Sequence, residues 1–203
     1  IMAAAPGFSP LLGAVIGTTF GWRATLVALV VAAIGVAIAH QKLVGESHPK
    51  QLRTRHGVGT LSRGYVALLK DPRFMRPAFA NAMSMGALFA YFAATPGILR
   101  NVFHLGTIGI GVFFGAAVLA VFAAASRASR WGARIGAPRV VGMGLAIIGG
   151  AALIAFATGL AGGLGLPVYV AAATTFLFGI GLTQPTTTAM TLQPGAAEAG
   201  LAS

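Results

Sequence analysis

The sequence has no cysteine at all and three acidic residues, Glu46, Asp71 and Glu198. Without cysteine there is neither a disulfide framework nor a thiolate metal site, and four scattered histidines show no paired-ligand spacing. No metal and no cofactor are therefore expected. Charged residues make up 8% of the 203 positions, where a globular domain carries roughly a quarter. A soluble fold of this size could not cover its surface with so few. Catalysis has no support either, because no serine, histidine and carboxylate fall at one depth and no glycine-rich phosphate loop occurs.

Apolar residues are abundant, at 57%, and the 29 glycines and 10 prolines are scattered among them. That is the composition of an all-α, polytopic helical membrane protein. Apolar runs fall at about 1–21, 22–39, 77–95, 108–126, 140–159 and 167–185, most of them near the ~20 residues a helix needs to cross the hydrocarbon. Six spans are expected. The net charge of +11 would suit nucleic acid on a soluble protein, but its placement points to a bilayer. Lys42, Lys50, Arg53, Arg55, Arg63, Lys70, Arg73 and Arg76 share one polar stretch, and Arg127, Arg130, Arg134 and Arg139 share another. Cations in short loops stay on the cytoplasmic side, so 40–76 and 127–139 are expected to be cytoplasmic loops.

Local signals mark the ends of the spans. Asp71-Pro72 reads as an N-cap followed by proline, Pro138 and Pro167 open two further spans, and Thr95-Pro96 is expected to close the third. Trp22 and Trp131 fall at the expected water boundaries. Leu61, Tyr65, Leu68 and Leu69 recur at helical spacing between cations, which predicts a short helix on the inner leaflet with its cations on anionic headgroups. Ile1 follows no initiator and 194–203 turns apolar again, so the sequence reads as a piece of a longer chain.

Three segments carry candidate functional residues. In the first span Pro10 frees the carbonyl of Pro6 and predicts a bend, while Gly13, Gly17 and Gly21 form a row that would admit another helix closely. In the third, Asn81, Ser84, Leu88, Tyr91 and Thr95 share one stripe, either a cavity lining or a set in which Ser84 and Thr95 bond to their own backbone while Asn81 and Tyr91 sit near the two interfaces. In the last, Gln184 sits beside the kink expected at Pro185, as interhelical glue or as a ligand contact.

Together these residues resemble the major facilitator superfamily, and within it the bicyclomycin-resistance type of drug:proton antiporter. Pro6-Gly7-Phe8-Ser9-Pro10-Leu11-Leu12-Gly13-Ala14 is similar to the antiporter signature of the fifth helix, with Ser9 and Ala14 where glycines are usual. Leu69-Lys70-Asp71-Pro72-Arg73-Phe74, with Phe89-Ala90-Tyr91 and Thr95-Pro96, resembles the seventh helix. Gly97 and Arg100 depart from its usual Phe and Gln. Arg130 to Arg139 resembles the basic loop between helices eight and nine, Gln184-Pro185-Thr186 stands where the family has Pro-Asn in helix ten, and 199–203 is similar to the start of helix eleven.

The resemblance implies helices five to ten of a transporter whose two halves rock about a midplane site. On that division 1–39 ends the N-terminal half, 40–76 is the inter-half loop and 77–203 begins the C-terminal half. It further implies a small-molecule substrate, protons as coupling ion, a proton-binding carboxylate in helices before Ile1, and a monomer when full length. Expected substrate contacts are Asn81, Met85, Phe89, Tyr91 and Gln184; expected conformational residues are Pro6, Pro10, Gly13 and Gly17. The competing reading is a six-helix membrane structural or assembly protein using its small-residue rows for association.

Overall fold

A computed structural model describes residues 5–43 and 58–192. Seven helices follow one another: α1 (Ala5–Phe20), α2 (Trp22–Leu43), α3 (Val58–Lys70), α4 (Pro72–Asn101), α5 (Thr107–Ile135), α6 (Ala137–Leu160) and α7 (Leu166–Leu192). Among the described residues all regular structure is helical, as expected for an apolar chain whose backbone groups must be satisfied within each segment. Five helices, α2 and α4 to α7, are long and apolar enough to cross a membrane. The sixth expected span is represented by the 16 residues of α1, which rise about 24 Å at 1.5 Å per residue. The expected start of a further helix at 199–203, and 44–57 of the basic stretch, lie outside the described residues.

Several local expectations hold. Asp71 caps α4, its Oδ1 accepting the Arg73 amide at 2.8 Å, with Pro72 in the first turn. Pro138 lies in the first turn of α6 and Pro167 in that of α7. The short amphipathic helix forms as α3, with Leu68 buried and Tyr65 and Leu69 exposed.

Others need correction. The segment 127–139 is not a loop: α5 runs unbroken to Ile135, and Gly136 at φ 90° turns the chain directly into α6. Arg and Ala are good helix formers, and cations in a last turn oppose the helix dipole favourably. Thr95-Pro96 does not close its helix, which continues to Asn101 with Pro77 and Pro96 inside it. Pro185 likewise lies within α7, which runs on to Leu192. Inside a membrane a proline can be carried by neighbouring helices and hydroxyl side chains. Gly21 is no member of a helical row, since its φ of 81° separates α1 from α2.

Helix α7 is the axis of the bundle and packs against α4, α5 and α6. Its buried residues lie all round it, from Tyr169 to Thr191. Glycine sets two of its contacts. A Cβ added at Gly179 would fall 2.8 Å from the Gly144 carbonyl oxygen of α6, and one at Gly181 2.5 Å from the Val121 carbonyl oxygen of α5. Both positions therefore admit a neighbouring backbone only because they lack a side chain. On the far side α1 packs against α5, and among the described residues α2 touches α1 alone and buries no residue.

Candidate functional site: the seam between α4 and α7

Helices α4 and α7 run antiparallel and are joined at three levels. At one end Thr187 Oγ1 lies 3.1 Å from Asn81 Oδ1. In the middle the rings of Tyr91 and Phe176 stack, with centroids 5.3 Å apart. At the other end Thr95 Oγ1 and Tyr169 OH are 2.8 Å apart in a buried hydrogen bond. The spacing of Asn81, Tyr91 and Thr95 puts them on one face of α4. That face is turned to α7.

The hydroxyls of this seam are mostly committed. Ser84 donates back to Ala80 O at 2.8 Å, and Thr183, Thr186 and Thr191 each reach the carbonyl one turn earlier. Thr95 bonds across the interface and not to its own helix. Thr187 Oγ1 has three neighbouring acceptors, Asn81 Oδ1, Thr183 O and Gln184 O. One hydroxyl proton cannot serve all three. The set closes when the Asn81 amide is turned so that its nitrogen donates to Thr187, whose own proton then goes to Thr183 O.

Two donors remain without a partner among the described residues: Tyr91 OH and Gln184 Nε2 are buried and make no hydrogen bond to them. A buried unpaired donor costs about 1–3 kcal/mol, so both are energetically exposed features of an otherwise satisfied seam. Around Tyr91 the rings of Phe92, Phe114 and Phe176 gather within 5.3–6.2 Å, and Phe103 and Phe113 flank Tyr169. An aromatic layer thus fills the seam toward Thr95, and a threonine-rich layer fills it toward Asn81.

The expected substrate contacts divide between two places. Asn81, Tyr91 and Gln184 belong to the seam. Met85 and Phe89 do not join them: Met85 is exposed and Phe89 is 67% exposed, on a flank of α4 that no described helix covers. Of the expected conformational residues, Gly13 meets nothing within 4 Å of an added Cβ and Gly17 meets only the Thr25 methyl at 3.8 Å. Pro6 and Pro10 lie within α1. Among the described residues the close-approach glycines are Gly144, Gly179 and Gly181.

Sequence reading passed over Tyr169, Phe176, Thr183 and Thr187. Their signal was present, because Tyr169, Phe176, Thr183 and Thr187 recur at intervals of seven, seven and four along one face. Of the four, Thr187 alone lies past the expected end of the span at 185.

Long apolar helices whose packed faces carry hydroxyls, amides and aromatic rings but no charge define a helical, multi-pass membrane protein. The chain belongs to the Major Facilitator Superfamily, whose family model matches residues 1–203. That is a family of membrane transporters and not of enzymes. The chain is 27% identical over 156 residues to a chloramphenicol resistance protein of Pseudomonas aeruginosa, covering 76% of this chain and 36% of that protein. It is 24% identical over 143 residues to a bicyclomycin resistance protein homolog of Haemophilus influenzae, covering 70% of this chain and 36% of that one. The chain therefore spans 36% of the length of either relative.

Proposed function

We propose that the protein is part of a proton-coupled exporter of drugs or other small amphipathic molecules, working by alternating access in the inner membrane. The observation that carries this reading is the likeness, within a transporter superfamily, to two proteins named for resistance to chloramphenicol and bicyclomycin. On this reading 1–39 and 77–203 belong to two halves that rock against each other, with 40–76 as their cytoplasmic connection. The segment 127–139 faces the cytoplasm too, and α3 rests its cations on anionic headgroups. The α4–α7 seam forms one wall of the substrate path. Tyr91 OH and Gln184 Nε2 are then donors held in reserve for a carbonyl, ether or hydroxyl oxygen of a substrate, and the exposed Met85 and Phe89 add soft apolar contact.

The described spans carry no carboxylate, and Asp71 caps α4 at its end. The proposal therefore assigns proton binding to the part of the relatives' length that this chain does not span. Accumulation of chloramphenicol in cells expressing the whole reading frame tests the function. Lower accumulation than in the empty host, restored by a protonophore, supports it; equal accumulation with and without the protein refutes it.

A further inference from the structure

The end of the bundle where α4 and α6 begin and α5 and α7 finish carries Lys70, Arg73, Arg76, Arg127, Arg130, Arg134 and Arg139. The one acid among the described residues is Asp71, and its Oδ1 is already engaged by the Arg73 amide. The arginines are not spread evenly. Arg127, Arg130 and Arg134 fall at intervals of three and four on α5, so they form one stripe about 10 Å long. All three are exposed, as is Arg139 at the start of α6. Like charges at these spacings repel one another, and no described acid on α5 or α6 offsets them.

Two of the four guanidinium groups have backbone partners. Arg127 Nη1 donates to Ala123 O at 2.6 Å, and Arg139 Nη1 reaches Ile135 O at 3.5 Å. Arg130 and Arg134 make no hydrogen bond to the protein among the described residues. Trp131, between them in sequence, is half-buried against the core formed by Ala124, Ala128, Val140 and Leu182. Helical geometry puts this ring beside the arginine stripe, at the margin between bundle interior and surface. An indole at such a margin marks the depth of the headgroup region. Cations at headgroup depth, lacking counter-charge among the described residues, fit a phosphate: the planar guanidinium fork pairs with its oxygens bidentately.

We propose that the corner where α5 meets α6 is a binding site for an anionic phospholipid, its headgroup phosphate held by Arg130 and Arg134 and its acyl chains lying along the apolar flank beside Trp131. The site is independent of drug export. It needs only that the bundle lie in a bilayer, so failure of either reading leaves the other standing.

Trp131 supplies a local reporter, because the sequence has one other tryptophan, Trp22. The full chain carrying Trp22→Phe is reconstituted into phosphatidylcholine vesicles into which brominated phosphatidylglycerol, or brominated phosphatidylcholine as control, is titrated. The anionic lipid is expected to quench Trp131 at markedly lower mole fraction than the zwitterionic one. One cation near an anionic surface is worth about a 5-fold change in binding, so Arg130→Gln with Arg134→Gln should reduce the preference by roughly 25-fold, toward none. Arg100→Gln, at the opposite end, should leave the preference unchanged, and millimolar inorganic phosphate should not reverse the quenching. Equal quenching by both lipids, a preference that survives in the double variant, or reversal by inorganic phosphate would each overturn the assignment.

Discussion

Gly144 of α6 and Gly179 of α7 meet backbone to backbone: a Cβ on either would lie 3.0 Å or less from the other's carbonyl oxygen. No rotamer change relieves such a contact, because the obstructing atom is main chain.

Gly179→Leu is therefore expected to destabilise the protein by about 1–3 kcal/mol, the usual cost of overpacking. Gly13→Leu, with open space around its added Cβ in the described bundle, should leave bundle stability unchanged. Thermal unfolding of both variants in detergent checks the contrast. Equal melting temperatures would show that the α6–α7 contact relaxes freely.

The Thr95–Tyr169 bond ties α4 to α7 at the aromatic end of the seam. Tyr169→Phe leaves the ring contacts with Phe103 and Phe113 in place and removes only the hydroxyl. Interhelical bonds of this kind in a membrane contribute about 0.6 kcal/mol, at most about 1.7. A double-mutant cycle with Thr95→Val, followed by equilibrium unfolding in mixed micelles, should return a coupling energy in that range. Coupling of zero would mean that the two hydroxyls find other partners equally well.

Much of this architecture was legible in the residues. Composition fixed the membrane class, and Asp71-Pro72, Pro138 and Pro167 marked three helix starts because capping and proline chemistry act over a few residues. Proline misled at Pro96 and Pro185, where the rule that it stops a helix fails once neighbouring helices stabilise the freed backbone. The basic run 127–139 read as a loop because charge reports exposure, whereas helix continuation depends on the helix-forming backbone beneath it. Close glycine contacts could not be told apart by spacing. Gly13 and Gly17 have the interval of a packing row, yet Gly144 and Gly179, on different helices, make the contact. Only the arrangement of α6 against α7 brings those two together.

Orientation has its own test. The absence of native cysteine lets a single cysteine at Ser129 on the arginine-bearing end, or at Gly163 on the opposite connection, report its side directly. In intact cells an impermeant thiol reagent is expected to label position 163 and to reach position 129 only after permeabilisation. The reverse pattern would invert the proposed topology.

Gln184 offers the most direct measurement of the central claim, that the α4–α7 seam holds unpaired donors for a transported substrate. Gln184→Met keeps the size of the side chain and removes the buried, unpartnered Nε2. Deleting an unsatisfied buried donor should raise stability by about 1 kcal/mol, whereas losing a substrate hydrogen bond should lower transport by roughly 5-fold to 100-fold. Unfolding stability and proton-driven efflux of chloramphenicol, measured on the same preparation of the whole protein, should move in opposite directions. Unchanged efflux by Gln184→Met at equal membrane abundance would contradict the account.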